Sequence, residues 1–328
     1  MEKQEQREKE AEEAINAINK KTGRNMPQAI ATAVVLIAII LACLLISVDL
    51  FVYLVVLFMV LALWELRVDF ATAGLHIPVV ALWACSAVTL LATYYSKHHI
   101  VAMTVCVLAS LLLVAIAASA KVTFGSRLSL AVADKLSHTD AGARLESSFN
   151  HEQGEVRHSR LSHVAVSMFT VLYIPLLASC LIMPLTFNGH PVAHAIMLVF
   201  MPALSDTGGL FAGAWLGKHK LSPRISPKKS WEGLAGSILF AMAGSFVVMF
   251  CTYEPSVWTV RWWVPIVAGF MIGIAGTFGD LCVSMLKRDI GIKDMGHLLK
   301  GHGGVMDRVD SILLCAPFVC VLLWATGM

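Results

Sequence analysis

The chain has 328 residues, 57% of them hydrophobic and only 14% charged, with a formal net charge of +3. Soluble domains run nearer about 45–50% apolar and about 25% charged, so an ordinary soluble enzyme and a disordered chain are excluded and a polytopic membrane protein is indicated. So small a net charge also argues against a nucleic-acid partner. The eight cysteines lie in or at the edge of apolar runs and form no CxxC pair; they are expected as buried thiols and not as zinc ligands or disulfides.

Residues 1–25 carry six Lys/Arg and six Asp/Glu among helix formers. They read as a solvated tail and not as a secretory signal, because acids replace the basic n-region. Nine apolar runs follow, at Met26–Ser47, Leu50–Trp64, Pro78–Tyr95, Ile100–Ala120, His163–Met183, His194–Leu216, Leu234–Cys251, Trp263–Leu286 and Ile312–Trp324. A spanning helix needs about 20 residues. The second and ninth runs fall short, and the first two also read as one re-entrant hairpin around Asp49.

With the N-terminus in the cytoplasm, segments 1–25, 65–77, 121–162, 217–233 and 287–311 are cytoplasmic. They hold 6, 1, 6, 5 and 5 Lys/Arg, which is 23 of the 25 in the chain; Lys97 and Arg261 take the other side. This positive-inside bias predicts an all-α, multi-pass protein of the cell membrane with about nine transmembrane helices and a cytoplasmic N-terminus. The expected divisions are the charged tail 1–25, N-terminal transmembrane helices 26–120, a polar cytoplasmic connector 121–162 and a C-terminal transmembrane region 163–328. No internal repeat is visible, which weakens a transporter built from inverted repeats.

Four polar clusters fall on the predicted cytoplasmic face. Asp206, within Ser205-Asp206-Thr207-Gly208-Gly209, is an acid inside an apolar run, where a charge is costly and points to function. The second cluster runs from Gly217 to Gly233 and contains Ser226-Pro227-Lys228-Lys229-Ser230-Trp231-Glu232-Gly233. Its five cations suit either anionic lipid headgroups or a phosphate ligand. It is not a Walker A loop, since positions 212 and 219 in that register are Ala and His. In the third, Asp280, Ser284, Lys287 and Arg288 stand at i, i+4, i+7 and i+8 and would share a helix face. The fourth holds Lys293, Asp294, a glycine-flanked His302, and Asp307 and Asp310 three residues apart. Mg²⁺ prefers one or two carboxylates together with substrate phosphates. Paired acids beside lysines and arginine therefore form a parts list for phosphoryl or nucleotidyl transfer.

The run Ser284-x-Leu286-Lys287-Arg288-x4-Lys293-Asp294-x-Gly296-x2-Leu299-x2-His302-Gly303-Gly304-Val305-x-Asp307-Arg308-Val309-Asp310 resembles the signature of the phosphatidate cytidylyltransferase (CDP-diacylglycerol synthase) family. Lys300 stands where that family usually has Pro or a small residue. The Asp206 region and Ser226–Gly233 are similar too, so the likeness covers about residues 200–312. It implies an integral-membrane nucleotidyltransferase that converts CTP and phosphatidate to CDP-diacylglycerol and diphosphate in phospholipid biosynthesis. It further implies Mg²⁺ held by Asp280 and Asp307, an associated K⁺, and a homodimer.

The expected mechanism is direct attack of a phosphatidate oxygen on the α-phosphorus of CTP. Asp280, Asp307, Lys287 and Arg288 form the catalytic set. Ser226, Lys228, Lys229, Ser284, His302 and Asp206 bind substrate. The alternatives are a CTP-dependent polyprenol or phytol kinase, which would move the γ-phosphate, and an ion-coupled transporter with Asp206 and Asp280 along its path. A purely structural membrane protein explains the dense charges of 279–310 poorly.

Overall fold

A computed structural model describes residues 26–119, 160–187, 189–292, 295–296 and 304–328. The tail 1–25, nearly all of the connector 121–162, and Lys293, Asp294, Lys300 and His302 lie outside the described residues. Each of the nine apolar runs forms helix. The elements are α1 (Met26–Ile46), α2 (Val48–Thr72), α3 (Val79–Tyr95), α4 (His99–Ser119), α5 (Arg160–Val171) and α6 (Leu177–Ile182), then α7 (Pro191–Leu216), β1 (Lys220–Ser222), β2 (Ser226–Ser230), α8 (Trp231–Thr252), α9 (Pro255–Arg261), α10 (Val264–Ile290) and α11 (Met306–Thr326). The described residues are all-α apart from one small antiparallel hairpin. Among the described residues seven rods are long and apolar enough to cross a membrane; the shorter apolar helices are Ala31–Ile46 and Val79–Tyr95.

The short runs are therefore not the ones expected. α2 has 25 residues and α11 has 21. Hydropathy ends each run at its first charge, but the helix continues wherever protein partners replace water. Glu65, Arg67 and Asp69 extend α2 and are buried; Asp310 near the start of α11 is buried as well. The first two runs are separate helices hinged at Ser47, whose backbone is extended and whose hydroxyl accepts from the Asp49 amide at 3.1 Å. At about 1.5 Å per residue they are about 31 and 37 Å long, too long for one short re-entrant hairpin.

α5 and α6 make one rod joined by a π-helical turn at Leu172–Leu176. Pro175 lies in that turn, and its missing N–H and bulky ring cause such a local widening. The rod turns Tyr173 inward.

α7, α8, α10 and α11 form the packed half of the molecule. With no hydrophobic force between helices in lipid, close approach depends on small residues. On α7 and α8, Gly208 and Gly236 face each other so closely that a Cβ at either would lie 2.7 Å from the other's carbonyl oxygen. Gly279 of α10 sits against α11, and a Cβ there would lie 2.7 Å from the Asp310 carbonyl oxygen. That contact brings the polar end of α10 against the polar start of α11.

Candidate active site

Three helices and the hairpin converge on one polar cluster. Asp280 leaves α10 one residue after the Gly279 contact. Its Oδ2 meets Lys229 Nζ at 2.7 Å, and its Oδ1 accepts from Ser284 Oγ at 3.4 Å, one turn on. Lys229 also donates to the Thr277 carbonyl at 2.9 Å, so one ammonium ties β2 to α10 at two points.

A second pair lies farther along. Lys287 Nζ donates to Asp307 Oδ1 at 2.9 Å, and both side chains are largely buried. Asp307 Oδ2 accepts from the Met295 amide at 3.3 Å. The expected helix face of Asp280, Ser284 and Lys287 is thus real, but its cation is committed to the acid of the next helix. Arg288, one residue on, is exposed and has no ion pair among the described residues.

Asp206 of α7 lies close to Ser311 and within electrostatic reach of Asp280, Lys229 and Arg308. Its side chain stays accessible although protein surrounds it on most sides. Asp310 lies within reach of Asp280, Asp206 and Asp307, and its Oδ1 accepts from the Ser311 amide at 2.7 Å. Two buried hydroxyls at this end, of Tyr173 and Ser205, have no hydrogen-bond partner among the described residues, and Tyr173 lies within electrostatic reach of Asp310 and Asp280. Donors left unmatched in protein are available to a ligand, because burial without a partner is costly.

The Lys228-Lys229 pair separates. Neighbouring residues of a strand point to opposite sides. Lys229 reaches Asp280, whereas Lys228 is exposed and forms no ion pair among the described residues. Ser226 is half-buried at the start of β2, opposite Ser222. Around them the hairpin is held firmly. Ser230 caps α8 by accepting from the Gly233 amide at 3.1 Å, and His219 Nδ1 meets Glu232 Oε1 at 2.7 Å. His302 is outside the described residues.

Sequence reasoning missed Glu65. It lies on α2, 2% exposed, in what read as a plain cytoplasmic connection. Its Oε2 accepts from the Met306 amide at 2.9 Å across 241 residues of chain. α11 has no side-chain cap of its own at Val305, so Glu65 supplies one from another helix. It also lies where the Cβ atoms of Gly296 and Gly304 would be. The only sequence signal was an acid directly following an apolar run, which alone is weak.

Asp280 and Asp307 offer the hard oxygens that Mg²⁺ prefers. Among the described residues no three His, Cys, Asp or Glu side chains form a closed cation cage. Two acids on adjoining helices are donors of the type such an ion takes, and in this structure each is paired with a lysine.

The chain matches the cytidylyltransferase family model over residues 27–326. It is 37% identical over 163 residues to a phosphatidate cytidylyltransferase of Mycobacterium leprae, covering 50% of each chain. It is 35% identical over 154 residues to that of Haemophilus influenzae, covering 44% of this chain and 52% of the relative. With that of Pseudomonas aeruginosa it shares 37% over 139 residues, 42% of this chain and 50% of the relative. The chain thus spans about half the length of the curated relatives it matches.

Proposed function

Because the chain belongs to the cytidylyltransferase family, we propose that it transfers the cytidylyl group of CTP to phosphatidate, giving CDP-diacylglycerol and diphosphate. The observation that carries this reading is the presence of two lysine–carboxylate contacts, Lys229–Asp280 and Lys287–Asp307, at one end of the bundle. A transferase joining two polyanions needs cations for both phosphates and acids for a divalent ion, and here they are stored against each other.

A phosphatidate oxygen forms a bond to the α-phosphorus of CTP while the α–β P–O bond breaks, and its electron pair leaves with diphosphate. The nucleophile is already anionic, so no covalent enzyme intermediate is needed. Lys229 and Lys287 exchange their carboxylate partners for phosphate oxygens as substrates enter, which offsets the repulsion between the two anions. Arg288, exposed beside Lys287, grips phosphate with two parallel hydrogen bonds. Lys228 contacts the lipid phosphate from the outer side of β2. Ser226, Ser284 and the accessible Asp206 complete the polar lining, and His302 is assigned a hydrogen bond to phosphate. Asp280 and Asp307, freed by the exchange, would hold Mg²⁺, which supplies charge neutralisation at the phosphate oxygens when bound.

The site faces the cytoplasm of the cell membrane, a reading supported by 23 of 25 cations falling on that side. The homodimer rests on the family resemblance. Asp49 argues against the transporter: at about 1.5 Å per residue it lies about 24 Å along α2 from Glu65, where it accepts from the Tyr95 hydroxyl at 3.4 Å.

The test is purified protein in detergent with CTP, phosphatidate and Mg²⁺. CDP-diacylglycerol and diphosphate, lost with EDTA, are expected. Lipid phosphate with CDP, formed when polyprenol or phytol replaces phosphatidate, would instead identify a kinase, and no nucleotide-dependent product with either lipid would refute both.

A further inference from the structure

We propose that the outer face of the β1–β2 hairpin is a docking surface for anionic phospholipid headgroups. Where the chain acts on phosphatidate, as proposed above, this surface gathers that lipid before it reaches Lys229. The substrate clause rests on that reading; the docking surface does not.

Lys218, Lys220, Arg224 and Lys228 are all exposed, and none forms an ion pair among the described residues. Only Lys229 turns inward, to Asp280. The one acid of the segment, Glu232, is held at His219, 2.7 Å away, and among the described residues it pairs with none of the four cations, which outnumber it. Like charges are held together by a rigid frame. Lys220 pairs with Ser230 and Ser222 with Ser226 across the hairpin, and the Trp231 amide donates to the His219 carbonyl at 3.0 Å. Holding them together without counter-charges costs electrostatic energy unless an anionic partner offsets it.

The surroundings select the partner. Both feet of the hairpin stand on membrane-length helices, α7 and α8. At those feet Trp215 is 79% exposed, Leu216 64% and Trp231 58%. Tryptophan at a helix end is the usual marker of the headgroup level, and cations just beyond it meet anionic headgroups, each worth about fivefold in local anion concentration. A soluble nucleotide would meet the same charge but make no use of the apolar fringe. Lys228 and Lys229, on opposite sides of one strand, link the outer surface to the inner site.

The test uses the full chain in phosphatidylcholine bilayers with spin-labelled phosphatidylglycerol, an anionic lipid that is not the substrate. The motionally restricted fraction reports lipids held at the protein surface. Wild type should prefer the anionic probe to its zwitterionic counterpart several-fold, with the preference falling as salt rises. K218Q/K220Q/R224Q should reduce the preference to near one, and the charge-keeping K218R/K220R/R224K should retain it. Equal preference in wild type and the Gln variant overturns the proposal, whether or not the chain turns over CTP. In mixed micelles the Gln variant should raise the half-saturating fraction of phosphatidate about tenfold, leaving kcat and the KM for CTP unchanged. A raised KM for CTP with unaltered lipid dependence would assign the surface to the nucleotide and overturn the proposal.

Discussion

Replacing Glu65 by Ala should damage a site to which the substitution contributes no substrate contact. The Met306 amide would lose its 2.9 Å acceptor, and Val305 provides no side-chain cap in its place. A buried donor left unmatched costs about 1–3 kcal/mol. Loss of a negative charge at a helix N-terminus adds about 0.3–1 kcal/mol. Together these come to about 1–4 kcal/mol, concentrated at the residue before Asp307. That residue's contacts to Lys287 at 2.9 Å and the Met295 amide at 3.3 Å are the ones that would loosen. If half of that cost falls on the transition state, kcat drops about 2- to 30-fold, with a smaller change in the KM for either substrate. Glu65→Gln keeps a carbonyl acceptor without the charge and should recover most of the loss. The assay is steady-state turnover of CTP and phosphatidate beside thermal unfolding in detergent. A Glu65→Ala protein with wild-type kcat and unfolding temperature would refute the reasoning. So would a Gln variant as impaired as the Ala variant.

The other contacts give sharper outcomes. Asp307→Asn should abolish turnover while the protein still inserts and purifies normally; near-normal product formation would dismiss Asp307 as a metal ligand. Lys287→Ala leaves Asp307 largely buried without its counter-charge, so it should lower stability by about 3–5 kcal/mol as well as activity, and an unchanged melting curve would show that the pair contributes nothing. Lys229→Ala and Asp280→Asn remove two ends of one resting contact, so the double variant should be little less stable than either single one; additive losses in unfolding temperature would mean that the contact contributes nothing to the fold. Gly279→Ala places a Cβ 2.7 Å from a backbone oxygen that cannot step aside, with an expected cost of about 1–3 kcal/mol, readable as a lower unfolding temperature.

Much of the architecture was legible because lipid imposes a simple rule: apolar side chains outward and backbone hydrogen bonds satisfied within each helix. That rule locates all nine apolar runs. It fails at their ends, where Glu65, Arg67 and Asp69 continue a helix that hydropathy alone terminates. The spacing of Asp280, Ser284 and Lys287 was legible for the same reason, since α-helical periodicity is local. Which cation meets which acid was not. Lys229 lies 51 residues from Asp280, and Glu65 lies 241 from Met306, so both contacts depend on how helices pack. Packing is written in glycines such as Gly208, Gly236 and Gly279, whose role appears only once the opposing helix is in place. The separation of Lys228 from Lys229 needed a strand, and a five-residue strand beside two prolines leaves little periodic signal.

The arrangement of charge explains how a dense ionic cluster persists at the end of a hydrophobic bundle. An isolated acid or amine there would be expensive, and pairing removes most of that cost. Lys229–Asp280 and Lys287–Asp307 are each nearly neutral as they stand, so the helices pack without a large unbalanced field. The same pairs are poised for exchange, because a phosphate can replace the carboxylate on each lysine and a cation can replace the lysine on each carboxylate. On the proposed function, stability without substrate and reactivity with it draw on the same four side chains. On the outer hairpin, Lys218, Lys220, Arg224 and Lys228 are exposed and form no ion pair among the described residues, which is the charge the proposed lipid headgroups would meet.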